Sequence, residues 1–134
     1  TLLIFENNMT FEFSDFKEHK FKKILLVLNN TNRAIKLSEK VLKFKADLLK
    51  DQKIRLEEKS INCEIINISD LKNIAENVYA LYPTVGENLD FIQNNNLKNI
   101  KFLYRKLDQF SWQYCNKGFF NFKNYIPKII AKFN

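Results

Sequence analysis

The chain has 134 residues, 46% of them apolar and 28% charged, and a formal net charge of +7. That length fits a single domain, residues 1-134, large enough to bury its own core, and the supply of apolar and aromatic side chains argues against intrinsic disorder. The longest uninterrupted apolar run, Ile24 to Leu28, falls far short of the roughly 18 residues a membrane-spanning helix requires, so no membrane span is expected.

Leu2 to Glu6 and Met9 to Phe13 read as two short strands around Asn7-Asn8. Phe11 and Phe13 alternate with polar neighbours, the period of a half-buried strand, and Asn tolerates the positive φ of a two-residue turn. A β-hairpin is predicted here. Ser14-Asp15 with Glu18 has the spacing of a helix cap, and Phe21, Ile24, Leu25 and Leu28 would share one helical face. The competing reading makes Lys23 to Leu28 a buried strand, and so short a run does not decide between them.

Asn29 to Asn32 breaks the pattern, and Thr31 or Asn32 can cap the next helix. Ala34, Leu37, Val41, Phe44 and Leu48 recur at helical spacing and predict the clearest helix of the chain. Its continuation carries Asp51 with Arg55 and Lys53 with Glu57, i,i+4 pairs suited to a solvated surface. Ile61 to Ile68 is rich in β-branched residues and reads as a strand. Ser69 would cap a helix holding Leu71, Ile74, Ala75, Val78 and Tyr79, which Pro83 ends. A helical turn is expected around Asn88 to Ile92.

Asn96 would cap a last long helix whose inner face is Leu97, Ile100, Leu103, Tyr104, Leu107, Ser111 and Tyr114. Gly118 would terminate it. Pro127 suits the first turn of a closing helix burying Ile129, Ile130 and Phe133. The resulting fold class is α+β and helix-dominated: an N-terminal β-hairpin and at least one further strand, packed on four or five helices.

Charge is unevenly placed. Residues 1–96 hold 14 basic and 14 acidic side chains, whereas residues 97–134 hold eight basic ones against Asp108 alone. The same final segment carries 10 of the 19 aromatics. Such asymmetry points to an anionic partner. On a helix from Leu97, the residues Lys98, Lys101 and Arg105 would form one stripe, which Lys123, Lys128 and Lys132 would extend if the closing helix packs alongside, and Lys106 and Lys117 are further candidates for anion binding. Phosphate neutralisation together with ring stacking is what nucleic-acid binding requires. Trp112, Phe119, Phe120 and Phe122, with Lys123 beside them, exceed what helical packing explains, since the stretch after Gly118 reads as non-helical. Rings in excess of a core mark a partner surface.

Parts for catalysis are few. His19, the one histidine, stands in a charged stretch, and Cys63 and Cys115 lie far from it and from each other. The two thiols read as reduced core cysteines, not a disulfide framework. With two glycines in the chain, Gly86 and Gly118, neither a phosphate loop nor a dinucleotide-binding turn can be built. No catalytic residue, metal ligand or cofactor is assigned, and an enzyme is the less favoured reading.

One architectural alternative stands. Lys22 to Asn30, the helix after it and Cys63 to Leu71 can form a β-α-β unit, which would make the chain a degenerate nucleotide-binding α/β domain acting through Asn29-Asn30 and Asp70 at strand ends. The expectation from sequence is an interaction or accessory module that contacts a protein partner through its basic, aromatic C-terminal region. The alternatives are RNA or DNA binding on the lysine stripe, or the nucleotide-binding domain. Just over half of the residues are Phe, Ile, Lys, Asn or Tyr, which fits an A/T-rich genome. Cysteine usage favours an intracellular (cytoplasmic) over a secreted protein, and Thr1 at the start fits a processed chain or a fragment.

Overall fold

A computed structural model describes residues 1–9, 11–30 and 35–133. They group into two compact units, Thr1–Leu103 and Tyr104–Asn134. The fold is α+β, and helix outweighs strand.

The first unit is built on five strands: β1 (Leu2–Phe5), β2 (Ile24–Leu28), β3 (Cys63–Asn67), β4 (Val78–Leu81) and β5 (Ile100–Leu103). All neighbours pair in parallel, in the order β3-β2-β1-β4-β5. Strands buried on both faces are continuously apolar, and β1 (LLIF) and most of β2 (ILLVL) are of that kind. Leu3, Phe5, Leu25 and Val27 point to one face with Phe91 and Ile92, while Leu2, Ile4, Ile24 and Leu26 point to the other with Leu49 and Leu56. The edges carry charge instead, Glu64 on β3 paired with Lys23 at 2.7 Å, and Lys101 exposed on β5. Charged edges discourage pairing with a further strand.

Helix α1 (Glu39–Glu57) crosses from β2 to β3, capped by Ser38, whose Oγ accepts from the Val41 N–H. The β-α-β unit weighed as an alternative is therefore present, and the run Ile24 to Leu28, which the sequence leaves open, is strand. The caps proposed at Thr31 and Asn32, and Ala34, lie outside the described residues. Asp51–Arg55 and Lys53–Glu57 both form the expected ion pairs. Helix α2 (Glu87–Asn94) covers the Asn88 to Ile92 turn and links β4 to β5.

Four expectations are corrected. The hairpin does not form: Phe11–Phe13 is a 3-10 turn, and β1 pairs with β2. The reason is a contact distant in sequence: the Asn7 and Asn8 amides donate to the carbonyls of Pro83 (2.6 Å) and Tyr82 (3.2 Å), tying the chain after β1 to the β4–α2 loop. Residues 14–19 are turns, with Ser14 Oγ donating back to the Phe11 carbonyl at 2.7 Å. The helix expected from Ser69 is a 3-10 segment, Ile68–Asn73, followed by β4, where Val78, Ala80 and Leu81 are buried in the sheet. Asn96 takes φ of 53° and ends the turn after α2, so Ile100–Leu103 becomes strand β5 and not helix. A left-handed Asn is a helix stop signal that composition alone does not separate from a helix start.

The second unit contains α3 (Lys106–Trp112), a single turn α4 (Phe119–Phe122) and α5 (Ile126–Phe133), joined by 3-10 turns. The stretch after Gly118, expected to be non-helical, is thus helical, and Gly118 sits at φ of 76° just before it. Pro127 lies in the first turn of α5 as expected. Ile129 is buried there, while Ile130 and Phe133 stay exposed.

Candidate functional site

In a parallel sheet every strand delivers its carboxyl end to the same edge. The chain order reverses between β1 and β4: from β1 the connections run outward through β2 and β3, then return to β4 and β5. A reversal leaves a crevice because the crossovers on either side depart in opposite directions, and this order is that of the first five strands of a doubly wound dinucleotide-binding sheet. A cavity of about 390 Å³ opens there.

Its apolar walls come from α1 (Val41, Phe44 and Leu48) and from Pro83 and Val85 after β4. Phe44 is 63% and Val85 86% exposed. Exposure of two large apolar side chains across one crevice costs solvation that a bound ring would recover. The polar base starts at Glu6, the first residue beyond β1. Its Oε1 accepts from Lys45 Nζ at 2.6 Å, and both side chains are largely shielded. Asn88 Nδ2 approaches Glu6 Oε2 at 3.5 Å, and Asn88 Oδ1 accepts from Asn29 Nδ2 at 2.9 Å. Asn29 is fully buried, and its Oδ1 has no partner among the described residues. A chain of polar groups thus runs from α1 through β1 and α2 to the end of β2, at the interior of a site whose rim is apolar.

Cationic help for a phosphate is scarce in this crevice. Lys45 is committed to Glu6, the first turn of α2 carries Glu87 and Asp90, and Gly86 alone precedes it. The lining holds the carboxylates of Glu6 and Glu87 against the one ammonium of Lys45, so the site suits a ring with N–H or amino groups better than an anion.

Two of these features connect to sequence expectations. Asn29 stands where the strand-end reading placed it, although Asn30 is exposed and Asp70 spends its carboxylate on the Asn67 N–H at 3.0 Å, a local cap. The stripe Val41, Phe44, Leu48, from which the helix is predicted, does not face the core. Instead Leu49, Gln52 and Leu56 do, and the stripe lines the crevice. Glu6, Lys45 and Asn88 carried no sequence motif; an apolar helical stripe one residue out of phase with a second one was the available signal.

The basic and aromatic residues singled out in the sequence disperse. Lys98 lies in the turn before β5 and Lys101 on β5, while Arg105 precedes α3 and pairs with Asp108 at 2.7 Å. They share no helix, so the expected helical stripe is absent. Lys106 opens α3, Lys117 ends a 3-10 turn and Lys128 lies on α5. Within the second unit, Trp112 meets Tyr104 edge-on at 5.7 Å and is 44% exposed. Phe119 and Phe120 form an edge-on pair at 5.9 Å and are 66% and 78% exposed, and Phe122 is half-buried. Lys123 lies over Phe120, Lys128 over Tyr114 and Lys132 over Phe110, the last at 3.9 Å. Each is a cation–π arrangement.

Cys63 is buried and Cys115 exposed, both as thiols, so the core assignment holds for Cys63 alone. Among the described residues no group of three or more His, Cys, Asp and Glu side chains could hold a metal ion, and no helix is long and apolar enough to cross a membrane. No protein-family model, curated protein or solved structure matches this chain.

Proposed function

We propose that the first unit is a binding domain for a small molecule bearing a planar heterocycle of the nucleobase or flavin kind, held in the crevice between the carboxyl ends of β1 and β4. The observation that carries this reading is the position of that crevice at the reversal of strand order, where open parallel sheets bind ligands, with Phe44 and Val85 exposed across it. The ring would lie between these apolar walls, its N–H edge toward Glu6 and Asn88. Recognition would rest on the ring and not on a phosphate.

Thermal-shift and fluorescence titrations with adenosine, ATP and riboflavin test the proposal. At least one ring compound should raise the unfolding temperature, Phe44→Ala should abolish that shift, and adding phosphates to adenosine should not strengthen it at this site. Silence from every ring compound at millimolar concentration overturns it.

A second reading concerns the second unit, which would contact a protein partner with an acidic surface. Exposure of the Phe119–Phe120 pair supports it, in a segment (residues 104–134) holding six basic side chains and one acidic one. A protein is favoured over a nucleic acid because Lys123, Lys128 and Lys132 already occupy ring faces on which bases would stack. Phe120→Ser should abolish co-purification of the partner without altering the circular dichroism spectrum. Retention of strong salt-dependent binding to single-stranded nucleic acid by the same variant would favour the nucleic-acid alternative instead.

A further inference from the structure

The opposite edge of the sheet holds a second crevice, of about 510 Å³, bordered by Ile24 at the amino end of β2 and by Asn62 just before β3. Four lysines converge on it: Lys17, Lys20 and Lys22 from the β1–β2 connection, and Lys59 from the turn after α1. Glu18 is the one acid among its lining residues. Elsewhere in this unit Lys23, Lys45, Lys50, Lys53 and Arg55 are ion-paired, while Lys36, Lys40, Lys43, Lys72, Lys98 and Lys101 have no ion pair among the described residues; what distinguishes the four is that they line one concavity. None of the four lysines at this crevice has an ion pair among the described residues.

Backbone hydrogen bonds hold the loop that presents them. The N–H groups of Lys17, His19 and Phe21 donate to the carbonyls of Ser14, Phe16 and His19. On the other side, Lys59 and Ser60 donate to Leu56 and Glu57, with Ser60 at φ of 59° turning the chain toward β3. Four like charges around one concavity repel one another, and an anion placed among them relieves that repulsion while low-dielectric walls focus the field. His19 and Phe21 stack at 6.1 Å with an interplanar angle of 19°, forming an aromatic wall beside the lysines.

We infer that this amino-end crevice is an anion site for a compound with two or more adjacent phosphate groups. A single phosphate would leave part of the lysine charge unanswered, whereas a di- or triphosphate spans the lysines of both connections. Free polyphosphate and a nucleoside polyphosphate share this chemistry, and the aromatic wall would distinguish them by stacking the base. The site is separate from the heterocycle crevice, and neither depends on the other.

Isothermal titration with inorganic tripolyphosphate, ATP, orthophosphate and adenosine tests it. Tripolyphosphate and ATP should bind, with affinity falling as salt rises, and orthophosphate should bind at least tenfold more weakly. Tighter binding of ATP than of tripolyphosphate would identify a nucleotide as the natural source. Equal or weaker binding of ATP would identify polyphosphate. The double substitution Lys20→Ala with Lys22→Ala, at exposed positions, should weaken tripolyphosphate binding roughly three- to twentyfold, given the modest worth of each exposed charge. Phe44→Ala should leave it unchanged. Failure of tripolyphosphate to bind at low salt, or binding that the double substitution does not alter, overturns the inference.

Discussion

Replacement of Lys45 by Met tests whether the polar base of the crevice is a buried, interdependent network. Lys45 Nζ sits 2.6 Å from Glu6 Oε1, and the side chains retain 18% and 7% of their exposure. Removing the cation leaves a shielded carboxylate whose remaining side-chain neighbour is Asn88 at 3.5 Å. Breaking a fully buried pair from one side costs about 3–5 kcal/mol. Lys45 is partly solvated, so about 2–3 kcal/mol is expected here, roughly 10 °C in unfolding temperature for a chain of this size. Glu6→Gln should cost less, about 1 kcal/mol, because the stranded ammonium can extend toward water. The double substitution should cost no more than Lys45→Met alone. Urea unfolding of the four proteins measures the coupling. A Lys45→Met variant within about 0.5 kcal/mol of the parent would mean that water already solvates Glu6, and the network argument for the crevice would fall.

Three further outcomes are expected. Leu49→Ala, at a fully buried position of α1, should cost about 2–5 kcal/mol, whereas Val41→Ala, eight residues earlier on the wall of the crevice, should stay within about 0.5 kcal/mol. Urea midpoints check both. A thiol reagent should modify the exposed Cys115 promptly in the folded protein and leave Cys63 until unfolding, because burial first, and the Glu57 carboxylate second, hold the Cys63 thiol above its usual range. Burial alone would raise the Glu12 carboxyl, but its own backbone N–H, the Gln52 amide and the Arg55 guanidinium outweigh burial and hold it below its ordinary 4.5. Its contribution to stability is therefore complete above that value and lost as pH falls through the depressed one; Glu12→Gln should flatten that acid limb of a stability–pH curve.

How much of the fold could be read depended on how far each element's chemistry is local. Strand β3 and helix α2 carry their own signals, β-branched residues in one and a compact apolar pattern in the other. Strands β4 and β5 are four residues each, too short for a period of two to separate from one of 3.6. Their identity comes from pairing: Tyr79 and Ala80 register with Leu2 and Leu3, and Val78 to Leu81 with Ile100 to Leu103. A partner some 80 residues away in the chain leaves no trace in a local window. The hairpin failed for the same reason. Asn7 and Asn8 have turn chemistry, but the groups their amides satisfy belong to Tyr82 and Pro83, and those carbonyls exist as partners only once β4 stands beside β1.

The candidate site was illegible on different grounds. Helix α1 has two apolar stripes, one through Leu49 and Leu56 and one through Val41, Phe44 and Leu48. Sequence spacing favours the second, which is longer, and an apolar stripe on an amphipathic helix is ordinarily core. The sheet decides otherwise: it takes the face on which Gln52, itself fully buried, meets Arg55. An apolar stripe turned away from the core is a cost to the free protein, and under the proposed function a ligand bound at the reversal of the parallel sheet would recover it. The same logic separates the two ends of the sheet. At the carboxyl end the cation is neutralised within the fold by Glu6, leaving apolar walls and acceptors; at the amino end four lysines stay unneutralised among the described residues. On the two proposals one edge would take a ring and the other phosphate charge, and the parallel arrangement of all five strands would keep those two chemistries on opposite sides of the same core.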